Sequence, residues 1–489
     1  MQSWFSLVEW ITLTIFVSGP RWIPWFGTTF VVQKLSKKLG GLHEVFKYLS
    51  QKHQSPVVGL RFGKELTVGI RGYDLAKEAL TGDDLLGRPD NFFIRLRTDG
   101  ERLGLTFTDG KLWEEHRSFI MRTLKEVGYG RSRMEELIQK EVIELKHTLN
   151  ESIQPVQPCQ LLLLSVLNVL WTLSTGQRIE RDDNRLQMLL KLLRKRSGQF
   201  DLAGSLLNQM PWLRFLAPNW SGYNLVVDFN RQLMEFFAET IRNHYETITD
   251  DKSSNDLIYA YIREIRNQGH NPGTTFTEKQ MLMTILDLFL AGGLNTSTVT
   301  DFLLLMMVVR PDIQAKVHQE IDHHPDPIRW SDRSQLPFVE AVIMEVQRFF
   351  PTAAFGGPRR AVHDFNIGGY RIPKNTTVFV DLESVHHDEA YWKDPEVFRQ
   401  ERFLDEGGHL VTCDRLLPFS LGKRKCPGDV LAKTTIFLFF VELLRNFELS
   451  LPEGAEVPST ELVPGRIYMP KPYWMNFSQR SRKSINVSV

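Results

Sequence analysis

A single cysteine stands in a basic, glycine-containing loop directly ahead of an apolar, helix-length segment, and this arrangement restricts the fold and the chemistry more than any other stretch. The loop runs from Leu417 to Gly428 (LPFSLGKRKCPG), and the apolar segment runs from Val430 to Phe447. Basic neighbours and the positive end of a helix dipole both favour a deprotonated sulfur at Cys426, the form that binds a metal. Gly422 permits a tight backbone that turns amide groups toward the sulfur. The sequence therefore predicts a thiolate site.

The same loop resembles the haem-binding loop of the microsomal cytochrome P450 family. The family pattern Phe-x-x-Gly-x-Arg-x-Cys-x-Gly is met by Phe419, Gly422, Arg424, Cys426 and Gly428. A buried cysteine beside a basic surface loop is the alternative, but a complete motif with further family motifs upstream outweighs it. The resemblance implies that Cys426 is the axial iron ligand of haem b, and that the other four residues contribute to cofactor binding. A thiolate ligand pushes electron density onto the iron and favours O–O cleavage.

Composition is that of a globular protein and excludes some function classes. The 489 residues are 42% hydrophobic and 24% charged, and 59 Lys plus Arg against 58 Asp plus Glu give a net charge of +1. This balance implies no nucleic-acid partner. Three cysteines suit a reducing compartment. The resemblance implies a mainly α fold with a minor β domain and a long central helix over the haem.

The first residues predict a membrane anchor. The segment from Ser3 to Val17 is apolar and carries one charge, Glu9, although it is shorter than the ~20 residues of a spanning helix. Basic residues begin at Arg21, which places the following chain on the cytoplasmic side. We expect residues 1–19 to anchor a catalytic domain, residues 20–489, in the endoplasmic reticulum membrane, with that domain on the cytoplasmic face.

Several arginines resemble the family's contacts to the haem propionates. Trp113 and Arg117 are four positions apart and therefore share one face of a helix. In the family this pair holds a propionate, to which arginine gives a charge-assisted grip. Arg88 and Arg359 stand where relatives place further propionate contacts, as does Arg424 in the loop. For Arg88 and Arg359, a solvated arginine is the alternative.

The segment from Glu278 to Val309 predicts the longest helix, and it is apolar nearly all round, as a buried central helix should be. Gly292 and Gly293 lie in its middle, and each costs ~1 kcal/mol relative to alanine. The resemblance implies a groove, with Ala291 and Gly292 beside the substrate. Close packing against another helix is the alternative.

The central helix departs from the family pattern Ala-Gly-x-acid-Thr-Thr, in which the acid and the first alcohol deliver protons to dioxygen. Without gaps, Leu294 takes the acid position, Asn295 the first alcohol and Thr296 the second. In a shifted register, Asn295 replaces the acid and Thr296 is the alcohol. Either register lacks the carboxylate, so Asn295 and Thr296 are the candidate catalytic residues. Leucine cannot relay a proton, whereas an amide can hold a water molecule.

Glu345 and Arg348 are three positions apart and match the family's Glu-x-x-Arg, which joins a later arginine, here Arg402, in a buried ion network. These residues are predicted to be structural, because breaking a buried ion pair is costly. Strands are predicted at Val57 to Arg61 and Glu65 to Ile70, and a hairpin over residues 368–380.

The substrate pocket is expected to include Phe93, Ala354 and Phe355, by position in the family. Residues 211–220 (PWLRFLAPNW) predict either a second membrane contact or the exposed ends of core helices. A basic cluster on the proximal side is expected to steer an acidic electron donor. It comprises Lys423, Arg424, Lys425 and Lys433.

The resemblance implies a monooxygenase acting on a lipophilic small molecule such as a steroid, terpenoid, fatty acid or xenobiotic. Its electrons would come from NADPH through a flavoprotein reductase, with cytochrome b5 as a further partner. The missing acid leaves two alternatives open. One is a haem-thiolate isomerase or dehydratase that acts on a hydroperoxide, and the other is a non-catalytic haem protein that binds a lipid or a gas.

Overall fold

The structure is a computed structural model of the chain. It describes residues 18–248 and 256–481, apart from residues 185, 189, 191–205, 464 and 466. The predicted membrane anchor at residues 1–19 lies almost wholly outside the described residues.

Helices account for most of the described chain, which confirms the mainly α prediction. They are α1 (Thr29–Leu39), α2 (Leu42–His53), α3 (Tyr73–Thr81), α4 (Phe92–Leu96), α5 (Gly110–Glu126), α6 (Ser132–Glu151), α7 (Pro158–Thr175), α8 (Leu206–Gln209), α9 (Leu213–Leu216), α10 (Tyr223–Thr247), α11 (Leu257–Gln268), α12 (Glu278–Gly292), α13 (Leu294–Val309), α14 (Pro311–Asp322), α15 (Pro337–Phe349), α16 (Glu383–His386), α17 (Glu389–Trp392) and α18 (Asp429–Asn446). Short 3₁₀ turns cover Trp330–Gln335 and Gln400–Phe403.

The β structure is small, as predicted. Its strands are β1 (Val57–Phe62), β2 (Glu65–Arg71), β3 (Arg359–Arg360), β4 (Phe365–Ile367), β5 (Tyr370–Ile372), β6 (Thr377–Asp381), β7 (Phe447–Ser450), β8 (Leu462–Val463), β9 (Met469–Pro470) and β10 (Asn476–Gln479). The largest sheet has the order β1-β2-β6-β3, in which β2 and β6 are parallel and the other pairs antiparallel. The antiparallel pairs β4 with β5, β7 with β10 and β8 with β9 complete the strands.

The hairpin predicted over residues 368–380 is wrong. β5 pairs with β4, whereas β6 enters the main sheet between β2 and β3. Alternating side chains identified the strands correctly, but β5 pairs with the adjacent β4 and β6 pairs with the distant β2, so the two strands are not partners of each other.

The predicted central helix is present, but it is interrupted at Gly293, which separates α12 from α13. A Cβ atom on Gly292 would lie 2.3 Å from Cδ2 of Leu170, and one on Gly293 would lie 2.3 Å from Cδ2 of Leu167. Both leucines belong to α7. The glycine pair is thus explained by close helix packing, the alternative to the groove.

Two stretches of the described chain are long and apolar enough to cross a membrane, Pro158–Thr175 and Glu278–Val309. They are 78% and 67% buried inside the protein. Both form the main hydrophobic core together with α18. Their apolar character therefore reflects packing inside the fold.

Candidate active site

The loop that carries Cys426 is held by its own backbone and by close packing. The Cys426 amide donates to the Phe419 carbonyl at 3.0 Å, and the Lys425 amide donates to the Gly422 carbonyl at 3.0 Å. Gly422 has φ +71°, and a Cβ atom there would lie 1.9 Å from the carbonyl oxygen of Leu80 at the end of α3. Glycine is required at this position both by its backbone angle and by lack of space.

Cys426 is accessible, although protein surrounds much of its side chain. Its side chain is open to solvent, yet burial raises the pKa of its thiol above the ordinary value. A sulfur in these surroundings is accessible to a ligand. This is the setting that a bound planar cofactor would require.

Without a bound cation, burial raises the pKa of Cys426, so the thiolate stays a prediction for the haem-bound protein. A hydrogen bond from the Gly428 backbone and the positive charges of Arg117 and Lys425 lower the pKa of Cys426, but the loss of hydration outweighs them. A bound metal cation would supply the missing positive charge and favour the thiolate.

Arg424 points into the protein and is not part of a surface basic cluster, which corrects that prediction. Its Nε donates to the Leu86 carbonyl at 2.9 Å and its Nη2 donates to the Thr108 carbonyl at 2.8 Å. Its guanidinium carbon lies 3.7 Å from the ring centroid of Trp113. Burial, together with the charges of other arginines, lowers the pKa of Arg424 to about 8.

Arg359 and Arg88 join Arg424 in a group of buried guanidinium ions, so the solvated alternative is wrong for both. Arg359 is only 3% exposed. The Nε atoms of both residues are buried and have no hydrogen-bond partner within the part of the chain that the structure describes. Burial lowers the pKa of Arg359 to about 9 and that of Arg88 to about 10. Neighbouring arginines lower both pKa values further, because like charges repel.

The acid beside this group, Asp109, is already engaged. It accepts hydrogen bonds from Arg102 at 2.9 Å, from Arg360 at 2.8 Å and from the Arg88 amide at 2.8 Å. The arginine group therefore keeps an excess of buried positive charge, which an anionic ligand would neutralise. A cofactor with two carboxylates fits these orphaned donors.

The predicted Trp113 and Arg117 pair connects α5 to the cysteine loop. The guanidinium carbon of Arg117 lies 5.4 Å from the ring centroid of Trp113. Its Nη2 donates to the Lys425 carbonyl at 2.9 Å, one residue before Cys426. The structure thus brings Trp113, Arg117 and Arg424 together on one side of the cysteine loop.

The residues around the interruption of the central helix differ in their surroundings. Ala291 is exposed, Thr296 is buried, and Leu294 packs against the main core. The Oδ1 atom of Asn295 is buried and has no hydrogen-bond partner among the described residues. Asn295 therefore has a free acceptor in the middle of the protein, whereas Leu294 offers only an apolar contact.

Glu345 and Arg348 form a fully buried, bidentate ion pair, with N–O distances of 2.7 and 2.8 Å and 0% exposure for both side chains. The Nε atom of Arg402 lies 3.6 Å from Oε1 of Glu345. Arg348 also donates to the carbonyls of His386 and Pro395, at 2.9 Å each. The structure thus brings the three predicted structural residues together, with Glu345 and Arg348 fully buried and Arg402 partly buried.

The predicted substrate residues do not form one set. Phe355 packs edge to face against Phe46 and Phe379, with ring centroids 5.7 and 5.3 Å away, and Ala354 lies in the same core cluster. Core packing covers both side chains, and their contact with substrate stays a prediction. Phe93 lies half-buried on α4, and its amide donates to Oδ1 of Asn208 at 3.2 Å.

Sequence reasoning missed a buried cluster that fixes the loop between α4 and α5. Asp287 of α12 forms a buried ion pair with Arg97 and accepts from the amides of Leu105 and Thr106, at 2.7 and 2.8 Å. Gln280, two turns earlier on α12, accepts from the Gly104 amide at 2.8 Å. An acid and an amide seven positions apart on an apolar helix were the signal that could have found it.

A family model described as Cytochrome P450 matches residues 17–477 of the chain. The chain belongs to the cytochrome P450 family. The chain is 43% identical over 480 residues to a protein named probable cytochrome P450 305a1 from Drosophila melanogaster, with 95% of this chain and 94% of that protein covered. It is 33% identical over 470 residues to the farnesoate epoxidase of Bombyx mori, with 94% and 93% covered. It is 34% identical over 429 residues to human cytochrome P450 2D6, with 85% of both chains covered.

Membership confirms the P450 fold and the enzyme class that the cysteine loop predicted. This P450 is a haem-thiolate monooxygenase, and the family implies a haem cofactor.

Proposed function

We propose that this P450 inserts one oxygen atom from O₂ into a lipophilic small molecule, with electrons that NADPH supplies through a flavoprotein reductase. The observation that carries the proposal is the accessible Cys426 in a loop that lies beside buried, under-neutralised arginines. A thiolate ligand and an anion-binding group are the two things that a haem-thiolate site needs from the protein.

Cys426 would bind the iron through its sulfur, and Arg88, Arg359 and Arg424 would hold the propionates. Trp113 and Arg117 would complete the propionate contacts, while Phe419, Gly422 and Gly428 shape the loop around the sulfur. Bound haem supplies the one-electron and dioxygen chemistry. The backbone of Gly428 supports the sulfur by a hydrogen bond, which the thiolate form strengthens.

Asn295 and Thr296 would manage protons beside the cofactor. The free Oδ1 of Asn295 can accept a hydrogen bond from a water molecule, and its amide nitrogen can donate one. An amide does not itself titrate, so it positions water and does not replenish protons. We therefore expect proton delivery to depend on ordered water or on a hydroxyl group of the substrate.

The substrate would be a largely apolar molecule, and a terpenoid is the class best supported. A cavity of about 1010 Å³ opens to the surface with Trp25, Phe92 and Trp212 in its wall, and we assign it as the substrate entrance. Arg360, the neighbour of the buried Arg359, also lines it. Its size is that of ligand-binding cavities. The farnesoate epoxidase relative adds support for a terpenoid.

The entrance side would face the membrane of the endoplasmic reticulum, with residues 1–19 as the anchor of the catalytic domain. Trp25 is 86% exposed, and Phe215, Leu216 and Trp220 are 71–77% exposed. Thr29 of α1 bonds to Gln209, which brings the two exposed aromatic segments next to each other. A contiguous apolar surface of this kind favours membrane contact over the exposed ends of core helices.

The reductase, and cytochrome b5 as a second donor, would dock near the cysteine loop. Lys423, Lys425 and Lys433 are exposed there, but Lys423 pairs with Asp83 and Lys425 with Asp429. The positive charge of this surface is thus smaller than the sequence predicts. We expect a weak dependence of electron transfer on salt concentration.

The test is an incubation of the haem-loaded protein with terpenoid esters and acids under isotopically labelled dioxygen, with and without NADPH and reductase. A labelled product that requires NADPH supports the proposal. The variant Cys426→Ala is the control, because it removes only the iron ligand and should abolish the product.

A second function, rearrangement of a hydroperoxide, is favoured by one observation. Leu294 packs against the core at the acid position, so the helix has no titratable proton donor there. A rearranging enzyme needs no dioxygen protonation. An unlabelled product that forms from a hydroperoxide without NADPH would establish this function in place of the monooxygenase.

A further inference from the structure

His386 links two parts of the protein that the haem-thiolate site depends on. It ends the short helix α16 and is 2% exposed. Its carbonyl oxygen accepts from Nη1 of Arg348 at 2.9 Å, and its Nε2 accepts from the amide of Leu417 at 2.9 Å. One residue therefore contacts the buried Glu345–Arg348 ion pair with its backbone and the start of the cysteine loop with its side chain.

The hydrogen bond from Leu417 leads to the sulfur through the loop backbone. The Leu417 carbonyl accepts from the Ser420 amide at 3.1 Å, and the Phe419 carbonyl accepts from the Cys426 amide at 3.0 Å. Leu417 itself is buried. A buried amide without an acceptor is costly, so the position of Leu417 is tied to the imidazole.

Hydrogen bonds hold the backbone at His386, whereas Nδ1 of its ring is buried and has no hydrogen-bond partner among the described residues. The carbonyl of Val385, its neighbour, accepts from Nε1 of Trp392 at 2.9 Å, and the His386 amide donates to the Leu382 carbonyl at 3.0 Å. Because Nε2 accepts, Nδ1 must carry the proton. Burial and the charges of His387 and Arg348 lower the pKa of His386 to about 3, so the ring stays neutral near pH 7.

We propose that His386 is a positioning residue, which sets the Cys426 loop against the Glu345–Arg348 pair and thereby holds the sulfur in place for the iron. The proposal rests on the proposed ligation of haem by Cys426. The loop is positioned by the acceptor nitrogen Nε2 of His386 and not by the size of the side chain.

The test compares His386→Leu, which removes the acceptor, with His386→Gln, which keeps an acceptor at a similar distance. His387→Leu is the matched control, because it makes the same substitution at the next residue. The ring of His387 packs beside Phe349, with 6.4 Å between the ring centroids. Amide exchange at Leu417 is measured in the full chain. We expect roughly ten- to a hundred-fold faster exchange in His386→Leu, from the loss of one buried hydrogen bond, and near-normal exchange in the other two variants.

The second readout is the absorption spectrum of the reduced, carbon-monoxide-bound protein, which distinguishes thiolate from thiol ligation of the iron. His386→Leu should lose the thiolate form faster than the wild type, and His386→Gln should restore it. Equal behaviour of the Leu and Gln variants, including equal failure to fold, overturns the proposal. If the wild type lacks a thiolate spectrum, the proposed function fails, while Leu417 exchange still tests the hydrogen bond.

Discussion

Replacement of Glu345 by glutamine tests whether the buried ion network stabilises the fold. Oε2 of Glu345 accepts from Nε of Arg348 at 2.7 Å, and Oε1 accepts from Nη2 of Arg348 and from the Arg399 amide at 2.8 Å each. Glutamine has one acceptor oxygen and no charge, so it leaves at least one donor unsatisfied and the Arg348 cation unpaired at 0% exposure.

Breaking a buried pair by removing one partner costs about 3–5 kcal/mol. With a denaturant slope of about 3 kcal/mol per molar urea, the unfolding midpoint should fall by about 1–1.7 M. The assay is urea unfolding of the haem-loaded protein, followed by tryptophan fluorescence and by haem absorbance.

Glu340→Gln is the matched control, because Glu340 lies on the same helix and burial raises its pKa to about 7. At pH 6 its carboxyl is mostly protonated, and glutamine should change the midpoint little. A Glu345→Gln midpoint within about 0.3 M of the wild type would refute the reasoning, since it corresponds to only about 1 kcal/mol.

Three further predictions concern charge and space. The pKa of Glu340 is about 7 in the folded protein and 4.5 as its ordinary value. The stability that this group contributes is therefore fully present below pH 4.5 and is lost as the pH rises through about 7. Glu340→Gln should therefore become more stable than the wild type above pH 7, as pH-dependent urea midpoints will show. Gly422→Ala should lower the free energy of unfolding by about 2–5 kcal/mol, because its φ is +71° and a Cβ atom there would meet the Leu80 carbonyl. Gly428→Ala is the control, because its φ is −93°, and it should unfold thermally like the wild type. Arg359→Met should stabilise the haem-free chain, because it removes a buried, repelled charge, but should speed haem loss to apomyoglobin; slower loss would contradict the propionate role.

The fold and the chemical class could be predicted because their signals are local. The residues around Cys426 are close in sequence, so their spacing already fixes a tight loop ahead of a helix. The strands β1 and β2 are joined by a short turn at Gly63, and the structure places them at Val57–Phe62 and Glu65–Arg71, close to the predicted bounds. Helical periodicity identified the segment Glu278–Val309 in the same way.

What the tertiary structure decided depends on neighbours that are distant in sequence. Arg424 lies in a run of basic residues that predicts a surface position. In the folded protein its side chain is buried and donates to the carbonyls of Leu86 and Thr108. The family pattern predicts a groove at Gly292, but Leu170 packs directly against this glycine. The sequence alone predicted the chemical class and the residues proposed to carry it, because a motif is a local property. Only the folded structure determined their burial, and burial sets the pKa of Cys426 and the unsatisfied charge of Arg359, because desolvation comes from residues far along the chain.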